Sequence, residues 1–117
     1  MKIIKEEEQI QRAVVYWLRK TFPATLHTIS PITKLSVSLG ARMKAMGYSK
    51  GSPDLMVFQP RAGYHGLFIE FKTPKGKINI DQYHWAKELQ ALGYYHAFCR
   101  SADEAITILQ KYLTSNH

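Results

Sequence analysis

Residues 51–72 read GSPDLMVFQPRAGYHGLFIEFK, and the fold follows from how this stretch alternates. Gly51-Ser52-Pro53 is turn chemistry that ends at Asp54. The run Leu55-Met56-Val57-Phe58 is short, continuous and apolar, which predicts a strand buried on both faces. Pro60 to Gly66 makes a connection, and Leu67 to Lys72 makes a second strand. Side chains alternate along a strand, so Leu67, Ile69 and Phe71 share one face while Phe68, Glu70 and Lys72 share the other. A hairpin through the Pro60–Gly66 connection sets Asp54 beside Glu70. Two carboxylates and an ammonium then meet at one place, which is poor chemistry for a core and good chemistry for a metal ion and water.

Outward from this stretch, the charge distribution points to a ligand class. The chain of 117 residues carries a net charge of +7, from 16 basic and 9 acidic residues. Between Glu8 and Asp81 the only carboxylates are Asp54 and Glu70. A basic surface attracts polyanions, nucleic acid above all, and the two acids isolated in that field are the pair already singled out. The length suits one domain over residues 1–117 with a genuine core. A hydrophobic content of 45% excludes a disordered chain. The single cysteine, Cys99, excludes an internal disulfide and a cysteine-based zinc site, and reads as a core residue in a reducing compartment. The N-terminal MKIIKEEEQ turns acidic where a signal peptide needs an apolar run, and no stretch approaches the ~18 apolar residues of a membrane span. A soluble, cytoplasmic protein is expected.

Residues 6–20 predict an amphipathic helix with Ile10, Ala13, Val14, Trp17 and Leu18 on its inner stripe. Glu6, Glu7 and Glu8 fill the first turn, where carboxylates suit the helix dipole. Glu7 also falls on the stripe of Ile10, Val14 and Leu18, and a carboxylate aimed inward needs a partner. Residues 24–30 predict a short strand carrying His27, and residues 31–34 a turn. A second helix follows over about 35–46, ended by Gly47. That segment holds Lys34, Arg42 and Lys44, with Lys50 just beyond and no acid among them, so it reads as a surface that tracks phosphates into Asp54. Lys75 and Lys77 extend the positive charge past the second strand of the hairpin. Residues 79–92 predict a third helix stopped by Gly93, with Gln82, Ala86 and Leu89 turned toward the sheet. Residues 94–99 form a last strand. Ser101 to Glu104 has the form of a capping box and opens a helix with Ala105, Ile106, Leu109 and Leu113 on its stripe. The order α-β-α-β-β-α-β-α describes an α/β domain around a small mixed sheet.

The chemistry-bearing set is Glu7, Asp54, Glu70, Lys72 and Gln82. Mg²⁺ prefers carboxylate oxygens and keeps several waters, so two or three acids suffice to hold it. The backbone carbonyl of Phe71, between Glu70 and Lys72, offers a further ligand. Lys72 suits orientation of a water or stabilisation of charge on a phosphate, and Gln82 can fix a carboxylate or phosphate oxygen. A lone Glu-x-Lys on a strand is more often a surface ion pair. The Pro-Asp start, the strand–turn–strand context and the inward glutamine together shift the balance toward a site.

This pattern, Gly51-x-Pro53-Asp54, Glu70-x-Lys72 and Gln82, resembles the PD-(D/E)XK nuclease superfamily. More narrowly, it is similar to the virus-type replication-repair nuclease domain, VRR-NUC, over nearly the whole chain. The resemblance takes in Glu7 ahead of Gln11 and Trp17, Lys44 and Gly47 before the Pro-Asp, and the trailing β-α unit. It implies a restriction-endonuclease-like core in which Glu7, Asp54 and Glu70 bind Mg²⁺ or Mn²⁺ and Lys72 assists catalysis. Spacing to Trp17 and the inward stripe favour Glu7 as the helical acid, with Glu8 as the alternative. Stand-alone members resemble Holliday junction resolvases, which implies branched DNA as substrate and a symmetric homodimer. The competing expectation is a basic nucleic-acid-binding module without catalysis.

Overall fold

A computed structural model describes residues 5–30 and 36–117. Its element order is α1 (Glu6–Thr21), β1 (His27–Ile29), α2 (Val37–Ala45), β2 (Leu55–Val57), β3 (Leu67–Phe71), α3 (Ile80–Ala91), β4 (Tyr95–Cys99) and α4 (Ala102–Leu113). This is the predicted order. The expected turn at 31–34, with Lys34, lies outside the described residues.

The four strands form one sheet in the order β1-β2-β3-β4. β1, β2 and β3 run antiparallel in succession, and β4 joins β3 in parallel after the α3 crossover. Every residue of β3 is buried, as expected of a strand with a neighbour on each side and cover on both faces. β2 departs from the prediction of a doubly buried run. Leu55 and Val57 are buried, Met56 is half-buried and Phe58 is 42% exposed, so the strand alternates. Its outer face lies near the edge of a narrow sheet and is covered only by rings such as Phe68, which meets Phe58 edge to face.

The core lies on one side of the sheet. Leu55, Val57, Leu67, Ile69, Phe71 and Cys99 point there and pack against Val14 and Leu18 of α1 and against Ala105, Leu109, Tyr112 and Leu113 of α4. Full burial of each large aliphatic side chain contributes about 1.5–3 kcal/mol, so this layer holds β3 rigid. Cys99 belongs to it, and burial pushes its thiol up to about 12, which leaves it unreactive. On α1 the buried stripe is Gln11, Val14 and Leu18. Ile10 and Trp17 flank that stripe, partly buried against the core, whereas Ala13, also expected on it, is exposed.

The helix ends follow from local chemistry. α3 starts with a full capping box: Asn79 Oδ1 accepts from the Gln82 N–H at 2.9 Å, and Gln82 Oε1 accepts from the Asn79 N–H at 3.2 Å. At Ser101 the hydroxyl accepts from the Glu104 N–H at 3.1 Å, the first half of the box expected there. Gly47 (φ +111°) and Gly93 (φ +90°) follow α2 and α3 in the left-handed conformation of helix ends. α2 differs from the other helices in burying no residue at all. Among the described residues, no helix is long and apolar enough to cross a membrane.

The packing of α4 on the sheet sets the stability of the layer. Leu109→Ala, at a position with no exposed surface, is expected to destabilise the protein by about 2–5 kcal/mol. Urea denaturation followed by circular dichroism measures it, and a change below 1 kcal/mol (about the effect of a surface substitution) contradicts this description of the core.

Candidate active site

The site grows from a mismatch between β2 and β3. The pairing of Leu55 with Ile69 and of Val57 with Leu67, carried on beyond the end of β2, sets Asp54 opposite Glu70 and Pro53 opposite Phe71. The Lys72 N–H donates to the Cys99 carbonyl at 2.9 Å, so the even-numbered residues of β3 ladder to β4 and the odd-numbered ones face β2. The N–H and C=O of Phe71 therefore look for partners on Pro53. Proline has no N–H, so Pro53 can give nothing to the Phe71 carbonyl. The Phe71 N–H instead donates to Asp54 Oδ2 at 2.8 Å. This bond ties the carboxylate to the strand that carries Glu70 and Lys72.

Asp54 is held from its other side too. Its carbonyl accepts from the Ser30 N–H at 3.0 Å, and Ser30 Oγ lies 3.0 Å from Ser52 Oγ. Pro53 is fully buried. Gly51 (φ +93°) lies so close to α3 that a Cβ there would stand 2.7 Å from the backbone carbon of Asp81. Only glycine combines that conformation with that approach, and the contact seats the turn before Asp54 on the start of α3.

Glu70 is 2% exposed and Lys72 8% exposed, both on the sheet face opposite the core. Burial pushes the Glu70 carboxyl up to about 10, with further upward contributions from a hydrogen bond to Asp54, from the Asp54 charge and from Glu7, against a downward pull from Lys72. Burial and the neighbouring Asp54 thus both favour the neutral form of Glu70. Glu7 is half-buried at the start of α1, and its carboxyl is also raised, first by burial and then by Asp54, while Lys72 and Lys5 oppose the shift. The tertiary structure therefore brings Glu7, Asp54, Glu70 and Lys72 within electrostatic reach of one another. Glu8 turns elsewhere and makes a 2.8 Å ion pair with Arg12 one helical turn on.

Among the described residues, no three His, Cys, Asp or Glu side chains already close on a single point. Asp54 is instead held by the Phe71 N–H. The donor set still fits a hard cation, since it offers carboxylate oxygens and a carbonyl that Pro53 leaves unladdered, and Mg²⁺ needs few protein ligands. Gln82 sits differently from its expected inward role. It is half-buried, and its Oε1 is taken up in capping α3.

The predicted phosphate contacts fall in two groups. Arg42 and Lys44 are exposed on α2, and Lys75 and Lys77 are exposed in the loop after β3. Lys50 lines a 360 Å³ pocket with Asp81, His84, Trp85 and Glu88, so two carboxylates share its surroundings. Two residues near the site escaped the sequence reading. Arg100 Nη1 donates to the carbonyls of Thr73 at 2.9 Å and Gly76 at 2.7 Å and so clamps the lysine loop. His96, on the Glu70 face, is buried with Nδ1 unpartnered, and burial lowers its pKa against the pull of Asp54. The signal for both was the parallel register, which aligns Phe68 with His96 and Lys72 with Arg100 one step beyond the strand.

The model of the VRR-NUC domain matches residues 4–103, a span that holds every element from α1 to β4 and all four residues of the cluster. The chain belongs to the VRR-NUC domain family. That family is of nuclease type and binds DNA. A solved structure described as a VRR_NUC domain protein is similar at 26% identity and a TM-score of 0.82, over 99% of this chain and 93% of the other. A second, described as a VRR_NUC domain, is similar at 22% identity and a TM-score of 0.58, over 93% of this chain and 99% of the other, and speaks for the fold alone. No curated protein matches the chain. In this VRR-NUC domain the Pro53-Asp54 turn and the Glu70-x-Lys72 strand meet through the Asp54–Phe71 bond described above.

The upward shift of Glu70 has a measurable consequence. Because Glu70 has a higher pKa folded than unfolded, its contribution to stability is complete below about pH 4.5 and is lost as pH rises toward about 10. Glu70→Gln removes that loss. In EDTA, the melting temperature of the variant minus that of the wild type is expected to grow steadily from about pH 5 to about pH 9. A difference that stays flat across this range excludes the upward shift of Glu70.

Proposed function

We propose that residues 1–117 form a single VRR-NUC nuclease domain that hydrolyses DNA phosphodiester bonds as a Mg²⁺- or Mn²⁺-dependent endonuclease. The observation that carries this reading is the burial of Glu70 and Lys72 on one face of β3, beside an Asp54 tied to the same strand by the Phe71 N–H. A domain that only binds DNA gains nothing from burying this cluster, because unpaired buried charge is costly. Glu7, Asp54, Glu70 and the Phe71 carbonyl would hold the cation, with Glu8 as a lesser candidate for the helical acid because Arg12 already occupies it. Such a cation, when bound, supplies charge neutralisation at the phosphate and lowers the pKa of a water.

The protein's own groups then have distinct tasks. Asp54, fixed by the Phe71 N–H through one oxygen, keeps the other for the site. Glu70, whose neutral form is favoured by burial, would have to release its proton to help hold a cation, so occupancy would be coupled to pH. Lys72 presents its ammonium to the phosphate oxygens or to the attacking water. Gln82 retains its amide N–H donors for a phosphate oxygen while its Oε1 caps α3. Arg42, Lys44 and Lys50, with Lys75 and Lys77 on the loop held by Arg100, would track the backbone, as would Lys34.

Branched DNA such as a Holliday junction is the proposed substrate and a C2 homodimer the proposed assembly. Support for the dimer comes from α2, which buries no residue and carries on one side Leu39, 43% exposed, and its C-cap Met46, 77% exposed. An apolar helix face of this kind is suited to a second copy, and a symmetric pair would address two strands of a junction.

Cleavage of a labelled four-way junction and of a linear duplex, with Mg²⁺, Mn²⁺ or EDTA, tests the reading. Metal-dependent cutting is expected, with the junction preferred. Asp54→Asn and Glu70→Gln are each expected to lose more than about 100-fold in rate while still binding the junction. Glu7→Gln is expected to lose activity and Glu8→Gln to keep most of it. Binding without cutting by the wild type would instead establish the non-catalytic module.

A further inference from the structure

A groove of about 660 Å³ runs between α1 and the edge strand β1, apart from the cluster of Asp54, Glu70 and Lys72. Its lining includes Arg12, Tyr16, Arg19 and Lys20 from α1 and His27 and Ile29 from β1. Three cations face a single carboxylate there, Glu8, which Arg12 already neutralises at 2.8 Å. His27 organises one of the cations. Thr25 O can only accept and Arg19 Nε can only donate, so Nδ1–H of His27 donates to Thr25 O at 2.9 Å and its Nε2 accepts from Arg19 Nε–H at 3.4 Å. Both terminal NH₂ groups of Arg19 are left to grip an oxyanion as a fork. The strand adds backbone donors. Phe58 N–H bonds to the Leu26 carbonyl and Ser30 N–H to the Asp54 carbonyl, so the N–H and C=O groups of His27 and Ile29 face away from β2.

The groove is not uniformly polar. Tyr16 is 64% exposed with the Lys20 ammonium 5.1 Å from its ring centroid, and Ile29 is 43% exposed. Cations beside an open aromatic ring and an apolar floor match a strand that offers both phosphates and unstacked bases. A duplex keeps its bases in the stack and would leave the ring and floor unused. Glu8 on the groove wall directly follows Glu7 of the acidic cluster, so a strand lying in the groove leads to the site.

We propose that this groove binds an unpaired, single-stranded arm of the DNA substrate, with phosphates on Arg12, Arg19 and Lys20 and a base against Tyr16. The ligand class rests on the nuclease reading. The groove gives that reading a strand path separate from the lysines of α2 and of the loop after β3. An extended peptide added to the open edge of β1 is the competing occupant, and the charge balance favours DNA.

Fluorescence anisotropy in EDTA tests it, with a forked DNA bearing one unpaired arm and a blunt duplex of equal length. The triple variant Arg12→Ala, Arg19→Ala, Lys20→Ala is expected to bind the fork at least about tenfold more weakly. The slope of log affinity against log salt should fall by about 2, as three lost single-strand phosphate contacts require. Tyr16→Ala, which changes no charge, is expected to weaken fork binding by roughly five- to 100-fold. Blunt-duplex affinity should stay within about twofold in both variants. Equal losses on fork and duplex would overturn the proposal in favour of general attraction, and an unchanged fork affinity would overturn it and leave the groove to a peptide. Tyr16→Ala keeps the test valid should the triple variant fold poorly. Failure of the nuclease reading is visible separately, as absence of metal-dependent cutting by a wild type that still prefers the fork.

Discussion

The candidate site depends on a backbone hydrogen bond that β2 does not supply. Where the register of β2 against β3 calls for a donor and an acceptor opposite Phe71, the chain has Pro53, which lacks the donor. Asp54 fills half of the gap by accepting the Phe71 N–H with its side chain. The other half, the Phe71 carbonyl, is left without a ladder partner from β2. The same bond fixes Asp54 relative to Glu70 and Lys72 more tightly than two loop-borne side chains could manage.

A buried cluster of this kind works against folding, and the rest of the domain offsets it. The six buried residues that β2, β3 and β4 turn toward α1 and α4 form a continuous apolar layer. On the opposite face, β3 carries Glu70 and Lys72 in near-complete burial. A central strand can tolerate this because its backbone is laddered on both sides and its other face is fully packed. Burial first, and then the neighbouring Asp54, disfavour the charged form of Glu70, so rising pH works against the folded state at this position.

Positive charge is distributed around this centre by separate structural devices. Arg100 clamps the carbonyls of residues 73–76 and thereby carries Lys75 and Lys77 close behind Lys72. Gly51 allows the turn before Asp54 to rest on α3. His27 holds Arg19 over the edge of the sheet. Arg100 and Arg19 are thus positioned by backbone carbonyls and an imidazole rather than by an acid, and their charge stays available to a polyanion.

Much of the fold and of the site could be read from the chain alone, because both rest on periodicities that are local. Alternation in 67–72 sets Glu70 and Lys72 on one face, the helical repeat turns Glu7 inward, and the turn residues mark the ends, so the element order and the four-residue cluster follow without coordinates. What the sequence could not decide depends on which segments meet. Gln82 falls on the inner stripe of its helix, yet a nearby Asn79 recruits it for capping. Phe58 is as apolar as its neighbours in β2, yet the sheet ends too soon to cover it. Glu7 and Glu8 differ by a single position on the helix, and only the packing of α1 gives one to Asp54 and Lys72 and the other to Arg12. Local pattern determines which face a side chain takes. The tertiary structure alone determines what stands opposite that face, and in this protein it is the opposing residue, a proline without an N–H, that makes the site.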